Sequence, residues 1–298
     1  MRDAPIRQHM RNRRELRGFA YRTLTALALG VVLVSADLWG GTLGWAVVVA
    51  VLAAVCGSEF YRMTRSEHRR ANELFGVVAA AAMPIAAALY AGTATPPSSE
   101  LGAVGLTAVM GGLVVAAVLW NIAFKQFRGA DTSTTVFGAV YVGFTLAHLV
   151  LIHVLDSGAE LVLVILVGVW AMDVFAYLVG SAIGKHRLAP HISPNKSWEG
   201  FIAGSVGTIG AWIAGWYFIR PANLPLWWFV VTGAVAAIAA LLGDLAESRL
   251  KREVGAKDSG TLLPGHGGFL DRFDSLILVS VVTYYMLLFG TMVLGGAK

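Results

Sequence analysis

Residues 248–274 read SRLKREVGAKDSGTLLPGHGGFLDRFD. This polar stretch lies between two apolar runs, near 225–247 and 274–294, each long enough to cross a bilayer. It carries Lys251, Arg252, Lys257 and Arg272 together with Asp258, Asp271 and Asp274, and a Pro264-Gly-His266-Gly267-Gly268 turn interrupts it. Just upstream come Asp244, Glu247 and Ser248. Cations, carboxylates and bare glycine backbone between two spans place a polar site at a membrane surface. The rest of the chain is read as the frame that holds it there.

Composition agrees. The 298 residues are 57% hydrophobic and 14% charged, with a mean hydropathy of +0.68, whereas a soluble domain is nearer half apolar and a quarter charged. The excess lies in uninterrupted runs of roughly 17–24 residues, the length of a spanning helix. They fall near 23–39, 43–61, 73–91, 101–124, 133–154, 160–184, 200–219, 225–247 and 274–294. The expected fold is an all-α polytopic integral membrane protein of about nine transmembrane helices. The single Cys56, in an apolar run, rules out a disulfide framework and reads as a buried small hydrophobe. No cleavable signal peptide is expected, because the first run follows a long arginine-rich arm.

Charge placement orients the chain. With the N-terminus in the cytoplasm, the inner segments 1–22, 62–72, 125–132, 185–199 and 248–273 hold 7, 4, 2, 3 and 5 Lys or Arg, 21 of the 23 in the chain. That asymmetry satisfies the positive-inside rule and puts the C-terminus outside. The basic arm 1–22 thus reads as a topology signal touching anionic lipid, and the net charge of +5 is not a nucleic-acid footprint. Three regions follow: the arm 1–22, helices one to five over 23–154, and helices six to nine over 155–298, which carry the site. The outer connectors are too short to fold, so chemistry is expected at the cytoplasmic face of the cell's inner (plasma) membrane. Ala176, Gly180 and Gly184 give one small-residue helix face, read as close helix packing.

Ionisable residues inside spans are costly and default to functional hypotheses. Asp37 and Glu59 lie near span ends and are expected to reach headgroup water. Asp173 lies roughly 20 Å from the outer end, with Tyr177 one turn on, and is expected to line a polar cavity. Asp244, Ser248 and Lys251 or Arg252 follow at helical spacing. Asp271 and Asp274 enter the last span, where capping would suit them as well. Carboxylates gathered at one interface repel unless a cation joins them. All-oxygen ligands without a Cys/His cluster point to Mg²⁺, with Mn²⁺ as a substitute. No Walker loop occurs, yet Gly267 and Gly268 let backbone N–H groups approach phosphate, and His266 could donate to it. In the second inner patch, Ser197 is the expected N-cap of the next helix, Lys196 is free to meet anions, and Trp198 suits an interfacial anchor.

These residues resemble the signature of phosphatidate cytidylyltransferases, also called CDP-diacylglycerol synthases. The pattern is carried by Ser248, Lys251, Arg252, Lys257, Asp258, Gly260, Pro264 to Gly268, Asp271, Arg272 and Asp274, with Gly243-Asp244 as lead-in. Ser193-Pro-Asn-Lys196-Ser-Trp-Glu-Gly200 resembles a second family stretch, SPKKTWEG, with Asn195 replacing a lysine and Ser197 a threonine. The resemblance covers about 100 residues of the C-terminal half. It implies an enzyme that joins CTP to phosphatidic acid, giving CDP-diacylglycerol and pyrophosphate in phospholipid biosynthesis. It also implies Mg²⁺ dependence, with a monovalent cation as a further candidate, and a homodimer. Asp244, Asp271 and Asp274 are then the expected metal ligands. Lys257 and His266 join Asp244 and Asp271 in catalysis. Ser248, Lys251, Arg252, Arg272, Gly267, Gly268, Ser193, Lys196 and Asp173 are the expected substrate contacts. A CTP-dependent polyprenol kinase and an organic-anion transporter are the alternatives.

Overall fold

The hydropathy runs fold as helices wherever the computed structural model describes them, which is residues 27–65, 71–125, 128–221, 223–260, 262 and 267–294. Eight stretches are long and apolar enough to span a membrane, and a shorter apolar helix, α1 (Leu27–Trp39), precedes them. They are α2 (Gly41–Arg65), α3 (Glu73–Ala91), α4 (Ser99–Ala123), the compound span 129–153, α7 (Gly158–Ile183), α8 (Trp198–Ile219), α9 (Leu226–Glu253) and α10 (Leu270–Leu294). The chain is a polytopic helical membrane protein, and about nine helices match the nine runs. The basic arm 1–22 lies outside the described residues.

The compound span explains where the core sits. It runs α5 (Gly129–Ala139), one π-helical turn (Val140–Phe144) and α6 (Thr145–His153). The turn falls where Gly143 passes against the Cα of Ala80 on α3, a contact no larger side chain would permit. All of Thr145 to Ile152 is buried, because α2, α3 and α10 surround α6. Ser280 of α10 donates to the Thr145 carbonyl at 2.8 Å, satisfying one of the carbonyls near the π-turn. Cys56 is buried and free among apolar neighbours, as its position suggested.

The C-terminal helices pack around smaller residues. Ala176 and Gly180 of α7, with Gly184 just past its end, lie against Ser197 and Gly200 at the start of α8, as their spacing indicated. Ser197 caps α8, accepting from the Gly200 N–H at 3.2 Å. Its hydroxyl thus satisfies a helix N–H that would otherwise be orphaned. The α9–α10 crossing is tight at Gly243, where an added Cβ would collide with the Asp274 carbonyl oxygen. That contact puts Asp244 beside the start of α10.

The inner patch 185–199 contains structure of its own: β1 (Arg187–Ala189) pairs antiparallel with β2 (Ser193–Ser197), making a short hairpin on the end of the helical bundle. One expectation needs correction: Asp37 and Glu59 do not reach headgroup water; each is 1% exposed. Asp37 lies beneath His153, whose Nε2 is 3.0 Å from the Asp37 carbonyl oxygen and 3.7 Å from its carboxylate. Glu59 is enclosed by the segment before α10.

Candidate functional site

α9 brings acids and cations to one end of the bundle on two adjacent faces. Asp244 and Ser248, four residues apart, share one face, and the Ser248 hydroxyl donates to Asp244 Oδ1 at 3.3 Å. Glu247 and Lys251 share the next. This splits the sequence-predicted site residues into two groups.

The first group lines a cleft of about 610 Å³ between α7, the hairpin, α8, α9 and the first turn of α10. Its polar lining includes Asp173, Tyr177, Arg187, Asn195, Lys196 and Asp244, and its inner wall is Met172, Phe201, Ala240 and Leu241. Asp173 opens into the cleft, as the depth argument anticipated. Lys196, carried on β2, pairs with Asp244 Oδ2. Asp274 is an electrostatic neighbour of Asp173, Asp244 and Lys196, and Arg272 acts on Asp173. The cleft therefore presents two acids, Asp173 and Asp244, against two cations, Arg187 and Lys196, beside an apolar wall. That suits an amphiphile with an anionic head. Ser193 is half-buried in β2, away from this lining.

The second group is a buried chain of contacts between α9, α10 and α2. Lys251 Nζ lies 2.5 Å from Glu247 Oε2 and 2.6 Å from Asp271 Oδ1. Asp271 Oδ2 accepts from the N–H groups of Ser259 and Gly268, both at 2.9 Å. Ser259 Oγ donates in turn to Glu59 Oε2 at 3.2 Å, and the Leu270 N–H donates to the same oxygen at 2.9 Å. Both oxygens of Asp271 are thus engaged by the protein, and Lys251 is committed to two carboxylates. The Gly268 N–H, expected to meet phosphate, already serves Asp271. These three residues tie Gly268, at the described end of the segment, to α9 and α10.

Lys257 and Arg252 are exposed on the same end, and no described residue pairs with them. Gly267 takes the left-handed region (φ 80°), where its N–H direction could not be reproduced by most side-chain-bearing residues. His266 lies outside the described residues. Sequence reasoning missed Arg187, whose place in the cleft depends on the hairpin, and gave Glu59 the wrong surroundings. The bare presence of an acid in the apolar run of α2 was the available signal for the latter.

Among the described residues no three His, Cys, Asp or Glu side chains converge closely enough to hold a metal ion. A pair suffices for Mg²⁺, which binds through one or two carboxylates and completes its shell with water and substrate phosphate. Asp244 and Asp274 fit that pattern, because the Gly243 crossing joins their helices and their charges act on each other. Asp271 fits it less well: two backbone N–H groups and Lys251 fix its oxygens, whereas Asp244 is held by the movable side chains of Ser248 and Lys196. A second hollow of about 580 Å³ lies between α2, α5 and α9, but among the described residues Glu253 is the only charged one lining it. No described residue there offers a cation to a phosphate.

The chain matches the cytidylyltransferase family over residues 20–289. It is 32% identical to the phosphatidate cytidylyltransferase of Mycobacterium bovis over 298 residues, covering 95% of this chain and 92% of that protein. The Mycobacterium tuberculosis phosphatidate cytidylyltransferase is likewise 32% identical, over 95% of this chain and 85% of its own length. Over a shorter stretch of 155 residues the chain is 39% identical to the phosphatidate cytidylyltransferase of Staphylococcus haemolyticus, covering 52% of this chain and 58% of that one.

Proposed function

The chain belongs to the cytidylyltransferase family, and we propose the following reading of how its site transfers the cytidylyl group of CTP to phosphatidic acid. The products are CDP-diacylglycerol and pyrophosphate. The observation that carries the reading is the acid- and cation-lined cleft above an apolar interior, adjoined by the exposed cations of the 248–274 segment.

Phosphatidic acid offers a phosphate monoester oxygen that is already anionic at neutral pH, so no protein nucleophile is required. That oxygen attacks the α-phosphorus of CTP, and the bond from the α-phosphorus to the bridging oxygen breaks. The departing pyrophosphate keeps the electron pair, and the new bond is the P–O–P link of the product. The barrier is the approach of two polyanions, so the protein contributes charge compensation and alignment.

Lys196 and Arg187 hold the lipid phosphate at the cleft mouth, while the acyl chains stay against the apolar inner wall and the bilayer. Lys257, Arg252 and Arg272, with His266, take the triphosphate. Asp244 and Asp274 are the residues that would hold Mg²⁺, with Mn²⁺ as a substitute. When bound, that ion supplies positive charge against the phosphates and the leaving pyrophosphate. Lys251, Asp271, Ser259 and Gly268 keep the loop in the shape that presents these cations. The basic end of the bundle faces the cytoplasm of the inner membrane, where CTP is available, and the enzyme works as a homodimer in that bilayer.

The test is direct. Purified protein in mixed micelles with phosphatidic acid and Mg²⁺ is given CTP labelled at the α-phosphate or at the γ-phosphate. Only the α-label is expected to enter the lipid phase. Transfer of the γ-label would identify a lipid kinase instead, and flux into sealed vesicles with no chemical change would identify a transporter.

A further inference from the structure

Glu59 stands in the apolar run of α2, on the half of the chain that the signature does not reach. A carboxylate there is costly to keep unless something specific is gained from it. The structure shows what its partners are. One oxygen, Oε2, accepts the Leu270 N–H at 2.9 Å and the Ser259 hydroxyl at 3.2 Å. The other, Oε1, is buried and makes no hydrogen bond among the described residues.

The glycines of the segment are shaped around this carboxylate. A Cβ added at Gly260 would collide with Glu59 Oε1, and one at Gly268 would collide with Oε2. Both residues belong to the signature stretch. Their lack of a side chain is needed for the Glu59 carboxylate to enter, whatever else their backbone does. Ser259 then relays the contact: its hydroxyl donates to Glu59, and its N–H donates to Asp271, the residue paired with Lys251.

We propose that Glu59 is a positioning residue for the transfer reaction, fixing both ends of the 259–270 segment so that the neighbouring cations meet the nucleotide in register. This deepens the functional reading above and rests on its assignment of the 248–274 segment to CTP. It also gives the N-terminal helices a part in the chemistry, since the anchor of the nucleotide end comes from α2. Glu59 is not among the residues that line the cleft. The lipid end of the cleft, built by α7, α8 and the hairpin, does not touch Glu59.

The experiment compares Glu59→Leu, Glu59→Gln, Ser259→Ala and the double variant combining Glu59→Leu with Ser259→Ala. Kinetics and backbone amide exchange over 267–272 are read in detergent. Glu59→Leu should raise the KM for CTP about tenfold, with the KM for phosphatidic acid held within about twofold, and speed loop exchange. Glu59→Gln keeps an acceptor for Leu270 and Ser259, so it should recover most of the CTP affinity. Ser259→Ala, which lies outside the spans and is the safer variant to fold, should reproduce the CTP effect. If the two act through one contact, the double variant should be no worse than Glu59→Leu alone. A wild-type KM for CTP in both Glu59→Leu and Ser259→Ala would overturn the proposal, as would equal loss toward both substrates. Loop exchange is measured without turnover. Failure of the wild-type protein to label lipid would therefore sink the functional reading, while the exchange comparison would still decide whether Glu59 fixes the loop.

Discussion

Lys251→Met is the most informative single change for the buried contact chain. The Lys251 ammonium lies 2.5 Å from one carboxylate and 2.6 Å from another, and the Glu247 and Asp271 side chains are 0% and 9% exposed. Without it two enclosed acids are left facing each other. Removing one partner from a buried ion pair costs about 3–5 kcal/mol, mostly through the charge left behind. The 16% exposure of the Lys251 side chain lets some water in and favours the lower part of that range. For a chain of this size, about 3 kcal/mol corresponds to a melting temperature lowered by roughly 6–12 °C. The nine tryptophans make the transition readable by intrinsic fluorescence in detergent. The control is Glu247→Gln combined with Lys251→Met, which removes one of the stranded charges and should restore about half of the loss. A Lys251→Met protein that melts within about 2 °C of wild type and shows only a raised KM for CTP would refute the reasoning. Lys251 would then be a substrate contact and not the link between two acids.

Other outcomes follow from the cleft. Asp244→Asn should lower lipid labelling by about a hundredfold or more while the protein still melts cooperatively, since it removes a charge proposed to hold the ion; near-normal turnover would contradict that role. Lys196→Ala should raise the KM for phosphatidic acid about tenfold with little change toward CTP, measured by varying each substrate in mixed micelles. Equal effects on the two would show that the cleft does not separate them. Gly260→Ala should destabilise the protein by about 1–3 kcal/mol through overpacking on Glu59, and Glu59→Asp in the same chain should recover part of the melting temperature. Chelation with EDTA should abolish transfer, Mg²⁺ should restore it fully and Mn²⁺ partly, with the label in lipid as the readout. Activity that persists in excess chelator would remove the ion from the reading.

The helices were legible because each spans a bilayer with one kind of signal, and that signal is local. The close approach of α7 to α8 could be read from Ala176, Gly180 and Gly184, and the start of α8 from Ser197. Both depend on spacing within a few residues. The π-turn at Val140–Phe144 could not be read, since it answers to Ala80 on another helix. Nor could the 187–197 hairpin, a few residues of non-local pairing with two prolines nearby. The signature placed Asp244, Lys251 and Asp271 at one end of the bundle, as found. Which of them faces the cleft and which supports the loop depends on the rotation of α9 against α10. Glu59 meets the start of α10 from α2, and it lies 211 positions before Leu270. A pattern confined to one half of the chain holds no trace of such a partner.

That separation has a consequence for how the protein is made. The partners of Glu59 lie 200 and 211 residues downstream. At an elongation rate of roughly 5–20 residues per second, the ribosome needs about 10–40 s to produce them after α2 emerges. Throughout that interval Glu59 lacks the two donors, Ser259 and Leu270, that meet it in the folded protein. The α2 end of this contact chain therefore closes only once the last helix has been made, and a chain cut short before Ser259 leaves the α2 acid without either partner.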